Sequence, residues 1–562
     1  MSRRSGLTIQ YTVLGSGEVN TVMQRDTLLP PDRAYYVGPT SPSAINCRLL
    51  NGVARPRYGY RTIGDTPTSS AVTGLFQATF DNNTAENLRG DAAAVRYLVS
   101  NTTWTSISAT GVGGQWTFAM VARAGSVSPA NQVMLSSDGD SDSVWRYIGN
   151  GTAASKVGDT TGGSGSGFRG ARAIVGHRGR SLVMNTFDMG VTARKIKRVN
   201  YSIVGDPATH TGFGSGFVDL NDDPFPITGA RVIAGNVCVF CGNNIAGSII
   251  VGTQTGVTNN PYRWDTINTD NEGLLVPRSL VQITSNLAFY LSHGGFRLYD
   301  GARGIAHIAD GIGRDILTRI NPNALKTGFA WYKPQTSEIY LNLAMGSALL
   351  PNEAWVFNFE EKRVYGPYTF AHTLTAAAPY ATTDTVTWDT SVGTWDTNAY
   401  GPWDTIGGLA SARAVMLGAS TGTTWVDDEN VRTDGGSPVN AVYTFAPVRA
   451  SGRALVMPDG TQRPLEEDGY LTLRDVTLTY RNQGAWIPRV EVSIDGGLSY
   501  SVLASGVSIG SDTTNLDRSL TAPYTPDGLS GTWFQLRVTG APPMELLGAR
   551  MEFGYGGNAR ND

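Results

Sequence analysis

Apolar runs long enough for a strand but too short for a helix recur along the chain, each cut short by Gly, Asn or Asp. They lie at 115–122, 171–176, 181–185, 232–241, 247–252, 287–291, 328–332, 338–343 and 354–359. Runs of this length between turn formers read as β-strands, and their close succession predicts antiparallel neighbours. Composition agrees: 68 Gly and 27 Pro in 562 residues, with only 16% charged residues where globular proteins carry about a quarter. Helical spacing is clearest at 308–320, through Ile308, Ile312, Ile316, Leu317 and Ile320, with Asp310 available as N-cap and Asn321-Pro322 as a stop.

Two segments read as complete hairpins. In Ala354-Trp-Val-Phe-Asn-Phe, Glu360-Glu-Lys and Arg363-Val-Tyr-Gly-Pro-Tyr-Thr-Phe, a charged turn joins two strands, and in 287–301 the turn is His293-Gly-Gly. Hairpins in series are what the radial repetition of propeller blades produces. No clean repeat period is visible, so sandwich and barrel arrangements stay open for this stretch. Beyond residue 436, the segments 439–446, 469–481, 489–494, 531–540 and 545–553 alternate like the strands of a sandwich. The expected fold is all-β: a β-propeller-like body with a C-terminal β-sandwich and one short helix near 308–320. The expected domains are an N-terminal arm with the first strands (1–70), the body (71–435) and the sandwich (436–562).

A net charge of -3, from 44 basic and 47 acidic residues, argues against a protein that grips nucleic acid by bulk positive charge. It leaves room for a channel through which DNA slides. No run approaches a membrane span, and the N-terminus has no apolar core of signal-peptide length, so a soluble protein is expected. Three cysteines, Cys47, Cys238 and Cys241, cannot make a disulfide framework. The Cys238-Val-Phe-Cys241 spacing invites a metal or redox reading. If 232–241 is one buried strand, however, residues three apart face opposite sides, and two small core residues are the better reading.

Other polar groups give no catalytic set. Asp138-Gly-Asp140-Ser-Asp142 is similar to a calcium loop, but Ser143 stands at position six and Gly149 at position twelve, so a solvated acidic turn is favoured. Arg194-Lys-Ile-Lys-Arg198 puts charge on both faces of a strand, as a solvated hairpin would. His177, His210, His293, His307 and His372 are scattered, and no nucleophile–base pair, P-loop or zinc pattern can be assembled. No cofactor or metal is expected, and the chain reads as non-enzymatic. In the segment 159–170 Gly and Ser dominate, and order is least supported there.

Ser493-Ile-Asp495-Gly-Gly497-Leu-Ser499-Tyr500 matches the Asp box known from sialidase-like propellers. There Asp and Ser satisfy turn amides, Gly supplies the positive φ, and the aromatic packs beneath. One box without the paired groups of glycoside hydrolysis leaves a sialidase-like glycosidase as a minor alternative.

Three Trp-Asp pairs, Trp388-Asp389, Trp395-Asp396 and Trp403-Asp404, are spaced by seven and eight residues. That is far shorter than the repeat of about forty in WD-repeat proteins. The physical reading is a series of turns in which each indole anchors packing and each Asp bonds nearby amides.

The segment Ser43-Ala-Ile-Asn-Cys-Arg-Leu-Leu-Asn-Gly-Val-Ala-Arg-Pro-Arg-Tyr-Gly-Tyr resembles the opening of the tail nozzle, or head-to-tail connector, proteins of short-tailed bacteriophages. Tyr262-Arg-Trp-Asp-Thr, Gly273-Leu-Leu-Val-Pro-Arg-Ser-Leu-Val-Gln-Ile, the hairpin at 287–301 and the helix follow in the order those proteins show. The Trp-Asp cluster is similar to repeats in phage tail proteins of this kind. The resemblance implies a structural virion protein, made in the host cytoplasm and located in the tail, that assembles as a hexameric ring. The ring would sit below the portal and adaptor proteins, extend the DNA channel, retain packaged double-stranded DNA until ejection, and offer an outer face to fibres or spikes. The competing reading is a receptor-binding or fibre-type β-protein that recognises a host-surface glycan.

Overall fold

The computed structural model describes residues 6–12 and, from 36 to 555, all but 38–40, 42, 51–52, 68–69, 81–84, 101, 112, 124–130, 140–141, 158–167, 189–192, 268–271, 302–303, 361–362, 381–413, 446, 450–453, 457–461, 465–470, 482–486, 496, 506–516, 523–528, 532 and 543. The chain is all-β, a propeller-like body with a β-sandwich, and separates into two compact units. One comprises 60–353 and 370–428; the other comprises 1–59, 354–369 and 429–562.

The first unit is built round seven inner strands: β1 (Val72–Thr79), β2 (Trp116–Ala122), β3 (Ala173–His177), β4 (Ile227–Ile233), β5 (Val281–Thr284), β6 (Phe329–Lys333) and β7 (Leu374–Pro379). Each begins an antiparallel meander. From β2, for example, the chain passes through Asn131–Ser137, Val144–Tyr147 and Ser155–Val157 in spatial order. Successive inner strands lie side by side, and β7 packs against β1, so the strands form a closed ring. Between β4 and β5 the link is a hydrogen bond from Gln282 Nε2 to Val232 O and the shared packing of Ile233 and Leu280.

Closure has a second component. The last meander runs β7, Val415–Ala419, Thr424–Asp428, and its next strand is Gly59–Thr62, which precedes β1 in the sequence. The Ile63 amide donates to Thr424 O at 3.0 Å. The ends of the ring are thereby hydrogen-bonded together, which satisfies strand edges that would otherwise stay open.

Sheets that radiate from an axis crowd where they meet, and the inner strands carry small residues there. Gly176 of β3 sits so close to β2 that a Cβ would lie 2.1 Å from Met120 O. Further out the wedges widen and large side chains fill them: Phe118, Trp116, Trp145 and Tyr147 between the first two sheets, and Phe240, Tyr290 and Tyr299 between the fourth and fifth.

The second unit is a sandwich of two sheets. One contains Gly6–Thr12, Leu546–Tyr555, Leu471–Arg481 and Asp517–Ala522; the other contains Ser43–Ile45, Ala441–Thr444, Trp533–Gly540, Arg489–Ser493 and Ser501–Ala504. Phe534 of one sheet and Phe553 of the other meet at 4.7 Å between ring centroids. The sequence divisions at 70 and 435 differ from this arrangement, because N-terminal strands pair with C-terminal partners in both sheets. Arg57 joins all three stretches of this unit. Its guanidinium donates to both carboxylate oxygens of Asp434 (2.8 and 2.5 Å), to Thr369 O (2.8 Å) and to Asn46 Oδ1 (3.2 Å).

Two local expectations change. The segment 232–241 is two strands, β4 and Asn236–Gly242, folded about Ala234 and Gly235, whose φ values of 50° and 76° are those of a hairpin turn. The helix α1 spans Asp310–Arg319, with Ala309 (φ 46°) at the cap position and Asp310 already inside the first turn. It ends at the extended Ile320, and Pro322 then opens a short 3-10 turn capped by Asn321.

Two outcomes are expected in urea unfolding. Gly176→Ala loses roughly 1–3 kcal/mol, the usual cost of overpacking a rigid neighbour. Arg57→Ala loses about 3–5 kcal/mol, the usual cost of removing one partner of a buried ion pair such as that with Asp434.

Candidate functional site

The inner ring encloses a channel of about 880 Å³, lined by residues from all seven inner strands and the turns that precede them. Its walls are mostly small and apolar, since the blades converge there. Among the described residues five charged side chains line it: Arg172, Arg231, Arg278, Lys326 and Asp138.

Arg278 lies in the turn before β5, and its side chain crosses the end of the channel. Nη1 donates to Gln115 Oε1 (2.6 Å), just before β2, and to Thr375 O of β7 (2.9 Å). The guanidinium also lies 5.4 Å from the centroid of the Phe329 ring of β6. One side chain thus bridges three other sheets. Burial pushes its pKa down to about 10, with Asp138 acting in the opposite direction, so it stays charged at neutral pH. Asp138 is held in turn, its Oδ1 accepting the Gln115 amide at 2.8 Å.

Arg172 stands immediately before β3, and Lys326 three residues before β6. Arg231, the fifth residue of β4, is exposed and lines the channel; the walls displace part of its water and lower its pKa. Among the described residues neither the Arg231 nor the Lys326 side chain has a hydrogen-bond or ion-pair partner.

The residues singled out in the sequence lie elsewhere. Trp388, Asp389, Trp395, Asp396, Trp403 and Asp404 fall outside the described residues, as does most of 159–170. The Asp box lies in the sandwich unit as a hydrogen-bonded turn. Asp495 Oδ1 accepts from Ser493 Oγ (2.6 Å) and from the amides of Leu498 and Ser499 (both 3.0 Å), while Ser499 Oγ donates to Oδ2 (2.5 Å). These bonds, that of Ser493 foremost, hold the Asp495 carboxyl well below the usual carboxylate range. Gly497 has φ +95°, and Tyr500 donates to Gln535 Oε1 (2.8 Å) beneath the Arg537 guanidinium.

Cys238 and Cys241 point to opposite faces of Asn236–Gly242. Cys238 packs with Tyr290 and Tyr299, Cys241 with Leu182 and Val199. Burial pushes the Cys238 thiol up to about 11 and raises Cys241 as well, so both stay protonated. Arg198 of the basic run bridges Asp188 (2.5 Å) and Asp219 (2.6 Å) over the Phe217 ring. Asp142 is no solvated turn residue: it is 2% exposed and packed against Gly139, whose carbonyl accepts its amide at 3.1 Å. Among the described residues no three His, Cys, Asp or Glu side chains are grouped to hold a metal ion, and no helix is long and apolar enough to cross a membrane.

The histidines serve separate turns. His177 bonds Tyr262 OH and Gly235 O, both at 3.0 Å, and His372 bonds Tyr60 OH at 3.0 Å. His210 is buried against Phe168. Its Nε2 lies 2.9 Å from Ser181 Oγ, which donates its own proton to Pro207 O, while Nδ1 has no partner among the described residues.

No protein family matches the chain, and no curated protein matches it. Among solved structures the WD40 domain of Neurospora crassa Pan2 is similar at a TM-score of 0.32 and 7% identity, over 66% of this chain and 88% of that one.

Burial lowers the His210 pKa to about 4 from an ordinary 6.5. Above pH 6.5 the imidazole is neutral folded and unfolded, and stability is unaffected. Below it the unfolded chain takes up a proton that the folded chain refuses, so stability falls as pH drops from 6.5 towards 4, by up to about 3 kcal/mol. His177, also lowered by burial, adds in the same direction. Urea unfolding across this range reads the slope, which is expected to be shallower in His210→Gln.

Proposed function

We propose that the chain is a structural, non-enzymatic component of a bacteriophage tail, a nozzle or hub protein assembling as a hexameric ring below portal and adaptor proteins. In this reading the ring extends the DNA channel, retains packaged DNA and lets it out on ejection. The observation that supports it most is how the conspicuous polar motifs are used. The Asp box closes a turn, Arg198 clamps two carboxylates, and Arg57 with Asp434 ties three chain segments together. These are the uses expected of a rigid building block.

The channel size adds a constraint on mechanism. At about 880 Å³, crossed by Arg278, the propeller's own channel has the volume of a small-molecule pocket. Duplex DNA would therefore pass through the space enclosed by the ring of subunits. The order of the opening segment, the central hairpin and helix α1, which resembles the nozzle proteins, favours this station in the tail over others.

Light scattering and negative-stain images of the purified chain test the proposal. A ring of six times the 59.9 kDa subunit is expected. A trimer would favour the glycan-binding fibre reading, and turnover of glycosides by the purified protein would overturn the non-enzymatic one.

A further inference from the structure

The channel carries an imbalance of charge. Four of the charged residues that line it are cationic and one is acidic. The acid, Asp138, accepts the Gln115 amide and is the counter-charge that acts on Arg278. Arg278 is fixed across the channel by two hydrogen bonds to neutral acceptors, Gln115 Oε1 and Thr375 O, so the one acid of the lining faces four cations. Arg231 and Lys326 are exposed and, among the described residues, unpartnered.

Cations drawn partly out of water without counter-charge are costly, and proteins keep them where a partner compensates. Guanidinium groups match the planar edges of carboxylates and phosphates through paired N–H donors, and an ammonium adds an adaptable point charge. The enclosed volume, about 880 Å³, lies in the range of small-molecule sites, and the wall has their usual make-up of apolar surface with a few directed polar groups. Arg231 lies in β4, and Arg278 and Lys326 in the segments leading into β5 and β6, so the charge comes from three different sheets.

From this arrangement we infer that the propeller channel is a binding site for a small, multiply charged oxyanion bearing phosphate or carboxylate groups. The anion sits among Arg231, Arg278 and Lys326. Occupation neutralises side chains from separate sheets and so cross-links the ring. The inference rests on the channel alone and is independent of the station in a phage tail.

Titration calorimetry of the full chain with tripolyphosphate and, separately, with citrate tests it. One site per chain is expected, with affinity falling as salt rises. The double variant Arg231→Ala/Lys326→Ala should weaken binding at least tenfold, with the thermal unfolding of the ligand-free protein unchanged. Arg263→Ala, which removes an exposed arginine paired with Asp265 away from the channel lining, should bind as the parent does. The tighter of the two probes tells phosphate-bearing from carboxylate-bearing ligands. Failure of both to bind, or undiminished binding by the double variant, overturns the inference.

Discussion

A ring of sheets holds only if its two ends are joined, and here the joint is a strand borrowed from before the first sheet. Gly59–Thr62 pairs with Thr424–Asp428, while β7 packs on β1. Without that pairing the last meander would expose an edge, and the first and last inner strands would have only side-chain packing to keep them together. With it, each wedge between sheets is closed on both sides. The small residues near the axis and the aromatic fillers further out are two responses to the same wedge geometry.

The channel follows from this closure. Side chains that approach the axis have little space, so those that reach it are few and consequential. Arg278 links β5 to residues beside β2, β6 and β7, a set of contacts that exists only when the ring is complete. The charged groups of the lining are thus reporters of closure as well as features of a site.

Much of the fold was legible because it is local. Strand length, turn residues and the helical spacing of Ile312 and Ile316 are written within a few residues, and α1 begins within two residues of where spacing alone would start it. The 232–241 segment shows the limit. Ala234 and Gly235 turn the chain inside an unbroken apolar run, because a strand buried on both faces leaves no alternation to mark its end. The faces of Cys238 and Cys241 were still readable, since both fall on the second of the two strands. The channel was not readable: Arg172, Arg231, Arg278 and Lys326 share no motif or period, and only the angular placement of the sheets brings them to one lining. Arg57 and Asp434 are likewise partners across 377 residues.

The composite make-up of the sandwich has a consequence for the order of synthesis. Strand Gly6–Thr12 is made long before its partner Leu546–Tyr555, with the whole propeller between them. At the usual 5–20 residues per second, the early strand waits roughly half a minute to two minutes for it. The propeller's strands are complete once Asp428 has emerged, whereas the sandwich still needs Leu546–Tyr555. During that interval the N-terminal strand is an open edge, the kind that recruits chaperones or pairs with the wrong chain. The last unit to fold is therefore the one whose strand Gly6–Thr12 is made before any strand of the propeller.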